Sequence, residues 1–276
     1  MSSKNIHPIG VFDSGYGGLS VLKEFIRLMP EYDYYYLGDN ARAPYGPRSF
    51  ETVYQYTLEA VKALFDLGCH LVILACNTAS AKALRSIQQK DLPKIDPSRR
   101  VLGVIRPSVE AIGGYTISGS IGVLGTKGTV VSNSYPLEVK KLYPELDVIQ
   151  EACPMWVPLV ENNEHNKAGA DFFVQENINS LMKKSENIDT VILACTHYPL
   201  LENKIKKYLP DNIRLISQGS IVAKSLKDYL HRHPEMDEKC TKSSVYKFFT
   251  TDSPKIFKEQ GKIFCDKIDN VVHIIL

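Results

Sequence analysis

The chain has 276 residues, of which 23% are charged, and a formal net charge of +2 at pH 7. This is an ordinary globular composition, long enough for two modest domains. The near-neutral balance gives no electrostatic footprint for nucleic acid or an anionic membrane surface, and no apolar run reaches the roughly 18–20 residues needed to span a bilayer.

Met1–Pro8 lacks the apolar core of a signal peptide, which predicts a cytoplasmic protein. Ile9–Phe12 reads as a first strand, Asp13–Gly18 as a turn, and Leu19–Leu28 as a helix closed by Pro30. Tyr34–Leu37 is a second strand. It leads into Gly38-Asp-Asn-Ala-Arg-Ala-Pro-Tyr-Gly46, a polar segment too long for a tight connection and hence a candidate functional loop. A long helix follows over Ser49–Leu67, with Ser49 as its cap. Leu71–Ala75 is the third strand, Thr78–Gln89 a helix and Val101–Ile105 a fourth strand. Strands alternating with helices predict a doubly wound parallel sheet.

The pattern then restarts. Ile121-Gly-Val-Leu-Gly-Thr126 echoes Ile9-Gly-Val-Phe-Asp-Ser14, and Thr190-Val-Ile-Leu-Ala-Cys-Thr196 echoes Leu71-Val-Ile-Leu-Ala-Cys-Asn-Thr78. Two matched pairs in the same order predict an internal duplication of an α/β unit. Beyond about Leu215 the pattern gives a short strand, a helix near Ile221–His231, a charged loop-like stretch to Ser244, and a strand over Tyr246–Thr250.

Six cysteines are present, at 69, 76, 153, 195, 240 and 265, with no Cys-x-x-Cys pair. That spacing gives little support to a structural zinc site, and a reducing compartment keeps the thiols free. Cys69, Cys153, Cys240 and Cys265 read as small buried hydrophobes. Cys76 and Cys195 differ because each ends an apolar strand and precedes hydrogen-bonding residues. The carboxyl edge of a parallel sheet is where such folds bind ligands. Two thiols in equivalent places point to two bases facing one substrate.

The neighbours of these thiols allow more than one use. Asp13 or Ser14 either caps the following helix or, in the case of Asp13, brings a carboxylate into the site. Asn77 and Thr78 either cap a helix or donate to a carboxylate held at its end. His197 is placed to exchange protons with Cys195, and Pro199 to open the next helix. In Pro44-Tyr45-Gly46, the Tyr45 hydroxyl and the Gly46 N–H are candidate ligand contacts. Arg42 either meets a carboxylate or holds the loop.

Taken together, six motifs resemble those of the glutamate racemases within the aspartate/glutamate racemase superfamily. They are Gly10-Val-Phe-Asp-Ser-Gly15, Gly38–Gly46, Ala75-Cys-Asn-Thr-Ala-Ser80, Gly122-Val-Leu-Gly-Thr126, Cys153-Pro-Met-Trp-Val-Pro158 and Cys195-Thr-His-Tyr-Pro199. The resemblance runs from the first strand to Phe248-Phe-Thr-Thr251. It implies two α/β domains with the active site between them, one formed by residues 1–107 and 215–276, the other by 108–214. It also implies cofactor-independent, two-base interconversion of L- and D-glutamate for peptidoglycan synthesis, no metal, and a homodimer.

By the same resemblance, Cys76 handles the proton on the D-glutamate side, assisted by Asp13, and Cys195 the L-glutamate side, assisted by His197. Ser14, Tyr45 and Gly46, with Pro44 beside them, hold the side-chain carboxylate. Asn77, Thr78, Thr126 and Thr196 surround the rest, with Glu161 as a second-line acid. Three positions depart from the family pattern: Ala194 replaces a glycine, Asn40 a threonine and Ser217 an aspartate. The short segment before the first strand predicts no activation by a cell-wall precursor. Rival expectations are a racemase for another small amino acid or a related decarboxylase, a Cys76–Cys195 redox switch, and a non-catalytic α/β binder.

Overall fold

The computed structural model describes residues 7–276; residues 1–6 of the segment examined for a signal peptide lie outside the described residues. Among the described residues there are ten strands: β1 (Ile9–Asp13), β2 (Tyr34–Gly38), β3 (Leu71–Leu74), β4 (Arg100–Gly103), β5 (Ser120–Gly125), β6 (Asp147–Ala152), β7 (Thr190–Ala194), β8 (Arg214–Ser217), β9 (Tyr246–Thr250) and β10 (Val271–His273). They form two sheets, in the orders β10-β9-β2-β1-β3-β4 and β6-β5-β7-β8. Every neighbouring pair is parallel. The chain is therefore an α/β protein with two parallel-sheet domains.

The block β2-β1-β3-β4 has the same order as β6-β5-β7-β8. The echoed segments occupy matching places: β1 corresponds to β5, and β3 to β7. All residues of β1, β3, β5 and β7 are buried, as expected of strands covered by helices on both faces. In each sheet the chain moves to opposite sides of a central strand, β1 or β5, and so creates a switch point at that strand's carboxyl end.

Local sequence explains the helices that support this edge. Helix α1 (Leu19–Leu28) buries Leu19, Leu22, Phe25 and Ile26, a stripe at helical spacing. Helix α2 (Phe50–Asp66) starts where Ser49 Oγ accepts from Thr52 N at 3.1 Å, the cap expected from sequence. One core cluster joins the sheets: it contains Ile9, Val11, Leu71 and Ile73 of the first and Leu124, Val191 and Leu193 of the second. Each such aliphatic side chain contributes about 1.5–3 kcal/mol on full burial.

Several expected boundaries shift. The helix predicted over Thr78–Gln89 is shorter: helix α3 (Asn77–Lys82) bends off at Ala83, where φ is −114°, and short helical turns continue to Ile95. Here Ser80 and Leu84 press on Gly103, whose missing side chain makes room for them. Strand β4 stops at Gly103, because Ile105 already begins the helix Ile105–Ile112. The expected domain limit at 214/215 falls inside β8, which pairs with β7 and so belongs to the second sheet. The stretch His231–Ser244 is partly helical, with the helix Gly219–Arg232 followed by the turn Pro234–Asp237. No helix among the described residues is long and apolar enough to cross a membrane.

Candidate active site

The carboxyl ends of β1 and β3 in one sheet and of β5 and β7 in the other converge on one narrow pocket. It is lined by Ser14, Pro44, Tyr45, Gly46, Cys76, Asn77, Thr78, Thr126, Glu161, Cys195, Thr196 and His197, together with Ala43 and Val157. Every expected site residue except Asp13 is in that lining, and Asp13 lies directly behind it, bonded to Thr196. The free space is about 30 Å³, enough for only a few waters.

Asp13 ends β1 and is 1% exposed. Its Oδ1 accepts from Gly15 N at 2.9 Å and its Oδ2 from Thr196 Oγ1 at 3.5 Å. Helix α1 begins at Gly18 without a side-chain cap, so the capping alternative for Asp13 and Ser14 does not hold. Burial raises the Asp13 carboxyl above its ordinary range, against the pull of His197 and the Gly15 N–H.

Cys76 follows β3 and is itself the cap of α3: its sulfur accepts from Ala79 N at 3.5 Å. Ser14 Oγ lies 3.5 Å away on another side. Burial, followed by the nearby Asp13 charge, pushes the Cys76 thiol up to about 12, while Ser14 and the Ala79 N–H pull in the other direction. Cys76 is therefore held as a thiol at neutral pH.

Cys195 follows β7, with its sulfur 4.0 Å from His197 Nδ1. The other imidazole nitrogen, Nε2, meets Glu161 Oε1 at 3.0 Å. Burial alone would lower the imidazole. The contacts with Cys195 and Glu161 more than reverse that, and His197 is raised to about 10. A cation thus sits beside Cys195, with Glu161 fixing it from behind. Pro199 lies in the first turn of the short 3₁₀ segment Tyr198–Leu201, as expected.

Other assignments are refined. The Tyr45 hydroxyl donates to Asp39 Oδ2, which commits its one hydrogen within the loop, while Tyr45 and Gly46 both line the pocket. Arg42 holds the loop. Its Nε donates to Asp39 Oδ2 at 2.7 Å, it pairs with Glu59, and it stacks over Tyr56. Both polar ends of the Asn77 side chain are engaged, by Gln218 and Tyr135. Thr126 caps the segment Lys127–Val131 and reaches Thr78 Oγ1 at 2.9 Å, joining the two sheets at the pocket wall.

The three departures find ordinary roles. Ala194 is a buried end residue of β7, Asn40 Oδ1 accepts from Thr250 Oγ1, and Ser217 donates to Glu202. All six cysteines are free thiols. Sequence reasoning missed Asp39, which lay in plain view within the candidate loop. It also missed Tyr135 and Gln218, for which no local signal exists.

Comparison with known proteins agrees with this geometry. A model of the Asp/Glu/hydantoin racemase family matches residues 9–226. A glutamate racemase from Listeria innocua is 42% identical over 269 residues, covering 97% of each chain. The crystal structure of a glutamate racemase isoform from Bacillus anthracis superposes with a TM-score of 0.89 at 37% identity, over 99% of this chain and 98% of that one. A glutamate racemase from Francisella tularensis, solved in complex with D-glutamate, gives 0.86 at 31% identity, again over 99% and 98% of the two chains. The family model, the full-length relatives and the two-sheet architecture together place the chain: it belongs to the Asp/Glu/hydantoin racemase family and, within it, with the glutamate racemases.

Proposed function

We propose that the protein interconverts L- and D-glutamate by a two-base mechanism without a cofactor. The observation that carries this reading is the pair of buried sulfurs, Cys76 and Cys195, at equivalent strand ends on two related sheets around one pocket. The α-proton of an amino acid is a very weak acid. Removing it requires a dry site whose fixed donors stabilise the developing carbanion. Ser14, Thr78, Thr126, Thr196 and the backbone N–H groups at the start of α3 are such donors.

The surroundings of the two thiols give them different starting roles. The cation at His197 stands beside Cys195, the sulfur assigned to take the proton from L-glutamate. Cys76, held as a thiol, returns a proton to the opposite face, and the product is D-glutamate. The reverse reaction starts from the other protonation state, with Cys76 as thiolate. The Ser14 hydroxyl and the Ala79 N–H, both at that sulfur, are the groups that support it. Asp13 assists at Cys76, and Glu161 acts through His197.

D-glutamate so formed would serve peptidoglycan synthesis, and the protein would act in the cytoplasm as a homodimer. The two domains comprise residues 7–104 with those from Gln218 onward, and the intervening segment; the expected limit at 107 falls inside the helix Ile105–Ile112, and the second limit follows the end of β8.

The test is incubation with pure L-glutamate, and separately with D-glutamate, in deuterated buffer without added cofactor. Racemisation with solvent deuterium at the α-carbon is expected from both. Cys76→Ser and Cys195→Ser should each lower kcat by about 10²–10⁴, the range for loss of a positioned acid or base. Full racemisation by both variants would sink the two-thiol mechanism. Absence of exchange by the folded wild-type protein would remove glutamate as substrate.

A further inference from the structure

Behind the first turn of α3 lies a closed ring of buried side chains. Asn77 Nδ2 donates to Gln218 Oε1 at 2.7 Å, and the Tyr135 hydroxyl donates to Asn77 Oδ1 at 2.8 Å. Gln218 Nε2 closes the ring by donating to the Tyr135 oxygen at 2.6 Å, and it also donates to Ser108 Oγ at 2.6 Å. Ser108 passes its own hydrogen to the Val104 carbonyl. Ser108 and Tyr135 are fully buried, Asn77 is 2% exposed and Gln218 5%.

Counting hydrogens gives the ring its meaning. Both amide hydrogens of Gln218 are used, and so are the single hydrogens of Tyr135 and Ser108. One donor remains unassigned, the second Nδ2 hydrogen of Asn77. Asn77 lines the pocket between Cys76 and Thr78. Flipping its amide alone would set its oxygen against the Gln218 oxygen, and flipping Gln218 with it would set that oxygen against Ser108 Oγ, so only the described orientation keeps every partner, the Val104 carbonyl included.

The ring members also come from separate parts of the fold. Asn77 opens α3 at the first sheet, whereas Gln218 follows β8 of the second. Ser108 lies in the helix Ile105–Ile112, and Tyr135 in the helix Ser134–Leu142. Gln218 directly follows Ser217, one of the three positions at which the chain departs from its family pattern.

We propose that Gln218, Tyr135 and Ser108 are positioning residues for substrate binding. They lock the Asn77 amide so that its one remaining N–H meets a carboxylate of the bound amino acid, and they tie that orientation to the placement of the second sheet. The inference rests on the reading of this pocket as the glutamate site.

A double-mutant cycle tests it. Gln218→Ala and Tyr135→Phe are each expected to raise KM for glutamate about tenfold or somewhat less, with a smaller change in kcat, as for loss of a buried hydrogen-bond partner. Asn77→Ala should raise KM at least as much. The Gln218→Ala/Asn77→Ala double variant should match Asn77→Ala alone, because Gln218 acts only through Asn77. A generally structural role would instead multiply the two effects and lower kcat in parallel. Tyr135→Phe removes one hydroxyl and nothing else, so it serves if Gln218→Ala does not fold. The proposal falls if Gln218→Ala and Tyr135→Phe keep KM within about twofold of wild type while Asn77→Ala does not, or if the double variant is multiplicative. An Asn77→Ala protein with wild-type KM would overturn the assignment of Asn77 to the substrate, and the positioning role with it.

Discussion

At the scale of single residues, the asymmetry between the two sulfurs is set by what stands behind each. Cys76 has a buried carboxyl group, Asp13, as its charged neighbour, and its thiol is pushed up. Cys195 has a buried imidazole raised to about 10. Glu161 is one of the two groups that overcome the burial of His197. Glu161→Gln should therefore lower the imidazole towards or below its ordinary value near 6.5. The sign follows from the cation: a raised folded-state value favours the charged form up to about pH 10, and its contribution to stability is lost as pH rises through that value. A pH profile of kcat/KM is thus expected to lose its high-pH limb near 10 in the wild type and at clearly lower pH in Glu161→Gln. An unmoved limb would separate Glu161 from the titrating group.

At the scale of elements, Asp13, Cys76, Thr126 and Cys195 are each delivered by a strand end and the turn that follows it. Cys76 caps α3 with its own sulfur, and Thr126 does the same for the next segment with its hydroxyl. The active-site loop is followed by α2, whose cap Ser49 touches none of the chemistry. Ser49→Ala should cost about 1 kcal/mol of stability, the usual loss for a removed hydroxyl cap, and leave kcat unchanged. Thermal or urea unfolding alongside turnover checks both halves. A fall in kcat with unchanged stability would mean that the helix start positions the Pro44–Gly46 loop directly.

For the molecule as a whole, the site exists only where two sheets come close, and glycines set how close. A side chain on Gly17 would stand 2.2 Å from Thr196 Oγ1 and 2.4 Å from His197 Nδ1. One on Gly128 would stand 2.6 Å from the Gly46 carbonyl oxygen, a backbone atom that cannot turn aside. The free space beside them is only about 30 Å³, and glutamate is expected to enter as the halves part and to draw them together on binding. Bound glutamate at a hundredfold excess over Kd should stabilise the fold by about 2.7 kcal/mol. Gly128→Ala holds the Gly46 loop away from the opposite wall. It should raise KM at least about tenfold and shrink the ligand-induced rise in Tm, while the protein without ligand, in which the contact already exists, melts below wild type. An unaltered ligand response would show that closure does not run through this contact.

The chemistry-bearing strand ends are legible in local sequence. The apolar runs of β1, β3, β5 and β7 are local, their burial on both faces requires near-continuous hydrophobicity, and the residue that breaks each run lines the pocket or, for Asp13, lies directly behind it. Asp13, Cys76, Thr126 and Cys195 were legible for that reason, and the duplication was legible because the same run recurs. Other features carried weaker marks. The half-buried, mixed pattern of β6 gave no clear strand signal, and the close packing of Ser80 and Leu84 on Gly103 at the bend near Ala83 has no local sequence mark. Only the tertiary structure decided that Asp39 engages the Tyr45 hydroxyl, that Glu161 backs His197, and that Gln218 and Tyr135 orient Asn77. Asp39 meets Tyr45 within one folded loop, Glu161 meets His197 across the second domain, and Gln218 meets Asn77, 141 residues away, where one sheet docks against the other. Hydrophobic pattern fixes where a strand begins and ends; the partner of a buried polar group is fixed only when distant segments pack.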